Sequence, residues 1–413
     1  MHKYKQIVYY FLIFSGYLLN AQDESWELLG LEGENIRSII IDKFNDSTIY
    51  VGSYSQYGYA NIVYGKIFKS LNKGESWDTL LIGTSVGELL QHPSEPQTIF
   101  ATLGSAAGTQ PGIIKTINGG ESWNFLNTAE MWLNWETNVN TIAIDPFCPD
   151  TLYAGTGGIF GGYFYRSING GEEWELLGQD EIIDNNMRKI KIDPINSQNI
   201  YLGTSGMNYI FKSSNYGINW EIVWGNIYGT AKAIEIDSQS LNVIYATQSF
   251  NSQETPGIIK SNDYGLNWFT ITEGIEGLSF SEIIIHPYHS NILFAGSDYY
   301  GMYKSVNGGE TWFPINTNLP ETISIRTSAI DTEGTLLFIA SAWGQGLYRS
   351  NIILDQDNCI IPGDLNNDGS VNILDIVQTV NCILNNLIID CADLNNDNLI
   401  NIEDIILIIN IIL

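Results

Sequence analysis

Apolar residues along this chain fall in short runs cut apart by Gly, Asn, Asp and Pro, and the cuts recur at regular distances. One kind of run reads like Ile190-Lys191-Ile192-Asp193-Pro194 and leads into a second, Ile200-Tyr201-Leu202-Gly203-Thr204. The second kind returns at Ile49-Tyr50, Ile99-Phe100, Leu152-Tyr153, Ile200-Tyr201, Ile244-Tyr245, Leu293-Phe294 and Leu337-Phe338, 44 to 53 residues apart. Four short apolar runs per repeat, divided by turn residues at this period, predict four-stranded antiparallel units arranged radially. Seven such units make a mainly β, seven-bladed β-propeller.

Between the repeats stands a polar phrase ending in tryptophan, Ser/Thr-x-Asn/Asp-x-Gly-x-x-Trp, at Ser70–Trp77, Thr116–Trp123, Ser167–Trp174, Ser213–Trp220, Ser261–Trp268 and Ser305–Trp312. Glu24-Ser25-Trp26 matches the tail of a seventh copy, and Gly346-Leu347-Tyr348-Arg349-Ser350 matches its beginning. Halves at opposite ends predict a ring closed by the N-terminal strand, which removes an exposed sheet edge. A short Asn or Asp side chain caps its own turn, glycine supplies a positive φ, and tryptophan buries a large ring, so the phrase reads as fold chemistry. Five of its six central residues are uncharged amides.

The ends of the chain differ from this pattern. Met1-His2-Lys3-Tyr4-Lys5 is basic and precedes an apolar run from Ile7 to Leu19, the form of a signal peptide over residues 1–21 that directs the chain to a secreted, extracellular or cell-surface location. After the propeller, placed at 23–350, and a linker at 351–358, no Lys or Arg occurs through Leu413. Two patches in this tail repeat in register: Asp364, Asn366, Asp368, Ser370, Asn372 and Asp375, then Asp393, Asn395, Asp397, Leu399, Asn401 and Asp404. They stand at loop positions 1, 3, 5, 7, 9 and 12, with backbone carbonyls at 7 and carboxylates at 12, the oxygen spacing of an EF-hand loop, so two Ca2+ sites are expected. Apolar helices from Ile373 to Leu384 and from Ile402 to Leu413 follow the loops, and the run Ile405–Leu413 is expected to pack them together.

The chain carries 46 Asp and Glu against 18 Lys and Arg, a net charge of −28. This excludes nucleic acid and anionic membranes as partners, and no internal stretch is long and apolar enough to span a bilayer. Of four cysteines, Cys359, Cys382 and Cys391 cluster in the tail, where one pair is expected to be a disulfide with its connectivity open. Cys148 is expected to stay free.

The tryptophan phrase resembles the Asp-box of bacterial neuraminidases, where it joins the third and fourth strand of a blade. The tail resembles a type I dockerin, covering residues 359–413. That resemblance implies a cohesin-like receptor, although Ile373-Leu374 and Ile402-Glu403 replace the small polar pairs of cellulosomal dockerins. Secreted Asp-box proteins include sialidases and xyloglucan-active endoglucanases. A sialidase needs an arginine triad, and Arg37, Arg166, Arg188, Arg326 and Arg349 lie in no matching sequence context. The xyloglucanase type places its cleft between two propellers, each giving one Asp, and this chain has the repeats for one.

Strand alternation puts the box turns and the Ile-Asp-Pro loops on one face, with His92, His286 and His289. Function is expected on the other face, where Trp132, Trp135, Trp224, Tyr228, Tyr299, Tyr300 and Trp343 are candidate platforms for a glycan or an extracellular protein. No carboxylate pair is marked by spacing, so no catalytic residue can be named. The expectation is a secreted, non-catalytic recognition or scaffold protein with a calcium-dependent docking tail, the alternative being a glycoside hydrolase related to the xyloglucan-active propeller enzymes.

Overall fold

The computed structural model describes residues 24–413 apart from 58–61, 106–108, 129–130, 132–136, 159–160, 179–181, 183–185, 206–208, 226–229, 250–256, 353–361, 366–369, 386–389 and 396–398. Residues 1–21, where a signal peptide is expected, therefore lie outside the described residues. The remainder is mainly β and antiparallel. Five sheets hold four strands each, and one of eight consists of two runs of four joined through the pair Ser205 and Thr230.

Within a run the chain meanders outward from an inner strand. The first comprises Ile36–Ile41, Ile49–Ser53, Gly65–Ser70 and Asp78–Thr84 in that order. Each inner strand lies beside the inner strands of its neighbours, and Ile36–Ile41 touches both Val86–Gln91 and Ile325–Ile330, so the circle closes around an axis. The fold is a β-propeller.

The second strands are buried from end to end, as in Ile49–Ser53, Ile99–Leu103 and Leu293–Ser297, because each is covered by sheets on both sides. That explains the glycine in the Ile-Tyr-x-Gly-Thr phrase. A Cβ on Gly52 would stand 2.4 Å from Val86 Cγ1, and one on Gly296 would stand 2.6 Å from Ile325 Cγ2. Val86 is β-branched and fully buried, so it has little room to turn away. Gly52→Ala is expected to cost ~1–3 kcal/mol through overpacking, measured by chemical denaturation; a neutral result would show that neighbouring sheets are not in such close contact.

The box turns are built as their composition implies. Ser70 Oγ accepts the N–H of Gly74 at 2.8 Å while Asn72 Oδ1 accepts that of Ser76 at 3.0 Å. In Ser261–Trp268 the same two bonds measure 2.9 and 2.8 Å. In two boxes the tryptophan reaches the preceding run, Trp77 Nε1 donating to Leu29 O at 2.9 Å and Trp312 Nε1 to Ile271 O at 3.0 Å, whereas Trp174, Trp220 and Trp268 donate to the glycine of their own box.

A second device joins neighbours in the other direction. A cation on the third strand lies over an aromatic ring on the second, as Lys69 over Tyr50 (5.1 Å), Lys212 over Tyr201 (5.6 Å) and Lys260 over Tyr245 (5.2 Å). Each ammonium then donates to a carbonyl in the next box turn, Gly119 O at 3.1 Å, Tyr264 O at 2.9 Å and Gly308 O at 3.0 Å respectively. Arg349 does so across the seam, its Nη1 meeting Lys73 O at 3.1 Å.

The ends complete the ring. Glu27–Leu28 pairs antiparallel with Leu347–Asn351, in the register Glu27 to Arg349 and Leu28 to Tyr348. Trp26 occupies the place of a box tryptophan, 3% exposed, with its Nε1 donating to Ile315 O at 2.5 Å. Where Lys304 should meet a box carbonyl there is no complete box, and its ammonium is held instead by Glu24 Oε1 at 2.7 Å, both side chains buried.

The tail has two helices, Ile373–Asn385 and Ile402–Ile412, around Leu365, Cys382, Cys391, Ala392 and Ile408. Cys391 is disulfide-bonded, whereas Cys148 and Cys382 are free thiols. One expectation needs correcting: of the run Ile405–Leu413 only Ile408 is fully buried, while Ile406, Ile409, Ile411, Ile412 and Leu413 are exposed. An 11-residue helix over so small a core can cover one stripe only. The tail rests on the box-turn face, with His289 Nδ1 donating to Leu365 O at 3.1 Å and Gln378 Nε2 to Gln239 Oε1 at 3.2 Å. Burial depresses both histidines there, His286 to about 3 with help from neighbouring His289, and His289 to about 4. Both are neutral at pH 7.

Candidate functional site

Connections between second and third strands, and from each fourth strand to the next inner strand, open on the face opposite the box turns. On the axis beneath that face lies a cavity of about 550 Å3 lined by inner strands. Its lining follows from one repeated irregularity. Pairing between first and second strands slips between Ile36 and Ser38, Val86 and Leu89, Val139 and Thr141, Met187 and Lys189, Ala231 and Ile234, Phe280 and Glu282, and Ile325 and Thr327. These are β-bulges, and a bulge re-aims the residue it leaves unpaired. Arg37, Asn140, Arg188, Lys232, Ser281 and Arg326 are left out of the ladder in this way, together with Gly87-Glu88, and all of them line the cavity.

Four of these positions are cationic in a chain with few cations. Lys232 is neutralised by Asp298, with Nζ to Oδ1 at 2.8 Å. Burial alone would raise Asp298, but Lys232 and the hydroxyls of Ser279 and Ser281 hold it below the usual carboxylate range. The arginines differ. Arg37 is partly buried beside the Tyr54 ring at 5.0 Å, and its Nε donates to Asn35 Oδ1 at 3.2 Å. Arg188 is exposed, with Nε donating to Ser205 Oγ at 2.8 Å. Among the described residues no carboxylate pairs with Arg37, Arg188 or Arg326. Desolvation, then the charge of Arg326, brings Arg37 down to about 10 and lowers Arg188 as well.

Below the arginines stand Glu88, Lys189, Lys191, Glu235 and Glu282. Lys189 Nζ meets Glu88 Oε1 at 2.5 Å, and Lys191 pairs with Glu235. Burial would lower Lys189, yet Glu88 and Glu282 keep it above its ordinary value. No salt bridge is formed by Glu282 among the described residues. Burial pushes its carboxyl from 4.5 up to about 8, with Glu235 and Glu88 adding to the rise and Lys189 opposing it. Its surroundings therefore favour the protonated form of Glu282.

The aromatic candidates are distributed unevenly. Tyr299, Tyr300 and Trp343 are exposed on connections of the cavity face. Trp224 lies within the fourth strand Glu221–Gly225, half-buried against the neighbouring cluster of Ala231 and Ile234. Trp132, Trp135 and Tyr228 lie outside the described residues. The arginines and Glu282 were missed as site residues, although a signal exists. Arg37, Asn140, Arg188, Lys232 and Arg326 each precede by five residues the Asp that ends the first run of its repeat, at 42, 145, 193, 237 and 331.

In the tail, both closing carboxylates are fully buried and fold their loops back on themselves. Asp375 accepts the N–H of Leu365 and of Asn372, each at 2.8 Å. Asp404 accepts those of Leu394 and Asn401, each at 2.9 Å. Asn372 and Asn401 use their side-chain oxygens to cap the helices, accepting from Leu374 at 2.8 Å and Glu403 at 2.7 Å. Asn366, Asp368 and Asp397 lie outside the described residues, whereas Asp364, Ser370, Asp393, Asn395 and Leu399 lie within them. Buried Asp364, Asp375 and Asp404, in a segment without Lys or Arg, suit a bound divalent cation, since a carboxylate oxygen retains a lone pair after one hydrogen bond.

No family model matches the chain. A xyloglucanase of Paenibacillus is 29% identical over 164 residues, covering 32% of this chain and 16% of that protein. Xyloglucanase Xgh74A of Acetivibrio thermocellus is 27% identical over 165 residues, 36% of this chain and 19% of the relative. The chain thus spans under a fifth of the curated relatives it matches. Among solved structures, the GH74 xyloglucanase of Xanthomonas campestris superposes with a TM-score of 0.62 at 14% identity, over 80% of this chain and 54% of that one. YCF48 of Cyanidioschyzon merolae gives 0.60 at 13% identity over 79% and 98%. The fold is a β-propeller of the xyloglucanase-like type. The expectation of a non-catalytic scaffold is overturned by the curated relatives, which are glycoside hydrolases and favour the alternative. Sequence reasoning went astray because it sought a spaced carboxylate pair on loops, whereas the acidic groups gather on inner strands of separate repeats. Among the described residues no helix is long and apolar enough to cross a membrane.

Proposed function

We propose that the chain is an exported, seven-bladed glycoside hydrolase that cleaves a polysaccharide on the face opposite the box turns. The observation that carries this is the axial cavity of a chain related to xyloglucanases, whose wall holds Glu282, its carboxyl pushed by burial up to about 8, together with Glu88 and Glu235. Glycosidic cleavage needs one carboxyl to protonate the leaving oxygen and another to act as base or nucleophile. Glu282 takes the first role, and Glu88 and Glu235 are the candidates for the second. Tyr299, Tyr300 and Trp343 offer rings on which sugars stack. The test is release of reducing ends by the mature chain from xyloglucan, other β-glucans and polysaccharides that carry uronic acids; release from none of them removes the proposal.

The tail is proposed to hold two Ca2+ ions in loops 364–375 and 393–404. Its support is the matched folding of Asp375 and Asp404 over their loops and the lack of a basic residue in the segment. Chelation is expected to abolish the helical far-UV signal of the tail while the propeller keeps its melting temperature, because metal affinity is folding free energy in so small a unit. Unchanged spectra after chelation would mean that the loops close without metal.

A further inference from the structure

Seven bulges aim their unpaired residues at one mouth, and three of those residues are arginines from repeats far apart in sequence, Arg37, Arg188 and Arg326. Bringing three guanidinium groups together costs free energy through mutual repulsion, and a structure that only needed to fold could have placed a neutral residue at each bulge, as it does at Asn140 and Ser281. The fourth cation of the ring, Lys232, has its own carboxylate. Arg37 and Arg188 are steadied through Nε, and among the described residues their terminal nitrogens make no hydrogen bond, so the paired donors that suit a carboxylate remain available.

We propose that Arg37, Arg188 and Arg326 bind the carboxylate of a uronic acid residue, so that the glycan taken by this face is an acidic one. This rests on the glycan-cleaving reading above. A sugar is favoured over other carboxylates because the Tyr54 ring lies against Arg37 in the cavity wall and exposed Tyr299, Tyr300 and Trp343 stand on the same face. With a net charge of −28, the protein as a whole repels polyanions, so the attraction is local and confined to this mouth.

Equilibrium binding by calorimetry, on the mature chain with calcium present, separates the possibilities. Three probes are compared at low salt: tetragalacturonate, neutral cellotetraose, and an N-acetylated tetrapeptide with a free C-terminal carboxylate. Tetragalacturonate is expected to bind at least about tenfold more tightly than either and to weaken as salt rises. Arg188→Gln, with its thermal melt matched against that of the parent, should remove about tenfold of that affinity, and Arg188→Lys should restore part of it. Equal binding of cellotetraose, tighter binding of the peptide, or an unchanged Arg188→Gln affinity would each overturn the inference. If tetragalacturonate binds as expected but no glycan is cleaved, the site stands and the hydrolase reading falls; if neutral glucans are cleaved and tetragalacturonate does not bind, the reverse holds.

Discussion

Replacing Glu24 by alanine is expected to destabilise the propeller by ~3–5 kcal/mol, more than any other single loss of a charged side chain near the termini. Glu24 and Lys304 are both almost fully buried, and removing the carboxylate takes a buried counter-charge from an ammonium that cannot reach water. The same segment carries Trp26, packed among Ile315, Ile323, Ile325 and Tyr348, so the lost anchor also loosens the strand that closes the ring. Guanidinium unfolding measures this. Glu24→Leu combined with Lys304→Met should recover most of the loss, since paired apolar replacement of a buried ion pair is often neutral. A cost below about 1 kcal/mol for Glu24→Ala would mean that the N-terminal segment is not part of the cooperative structure.

Glu282→Gln is expected to reduce glycan hydrolysis by about 10²- to 10⁴-fold, the range associated with loss of a positioned general acid. Glutamine keeps the volume and cannot give up a proton. In the parent protein the rate should hold through neutral pH and fall about tenfold per unit above pH 8, as Glu282 ionises. Stability provides a second readout. A carboxyl whose folded pKa is raised binds its proton more tightly in the folded state, so the parent loses stability as pH climbs from about 4.5 toward 8. Glu282→Gln should therefore be the more stable protein at pH 9. Activity preserved in the variant would remove Glu282 from the mechanism, and identical stability at pH 9 would contradict its burial among like charges.

The propeller was legible in the chain because its determinants are local and repeated. A box turn such as Ser70–Trp77 satisfies its own backbone within eight residues, so its residue types report its structure directly. The closing role of Trp26 was legible for the same reason, as the displaced half of a repeated phrase. The axial site was not, because Arg37, Arg188 and Arg326 meet only after the ring has closed, and because a bulge, not the ordinary alternation of a strand, decides that they point inward. Glu282 was hidden for a related reason: its protonation depends on burial and on Glu88 and Glu235, contributed by other repeats. The aromatic candidates were chosen for being extra to the boxes, which does not separate a ring on a loop such as Trp343 from one inside a strand such as Trp224. In the tail, apolar content from Ile405 onward was read as packing, but a helix has only one inner side and this core reaches little beyond Ile408.

The ammonium groups that three repeats extend to a following turn, from Lys69 to the turn at Gly119, from Lys212 to Tyr264 and from Lys260 to Gly308, all point the same way around the axis, and Arg349 carries the sense across the seam to Lys73. These cations act as hooks that all face one way around the ring, while the indoles of Trp77 and Trp312 reach back the other way. Excising a whole sector would leave that coupling chemistry intact, provided curvature could absorb the gap, whereas reversing or splitting one would leave a hook facing a hook.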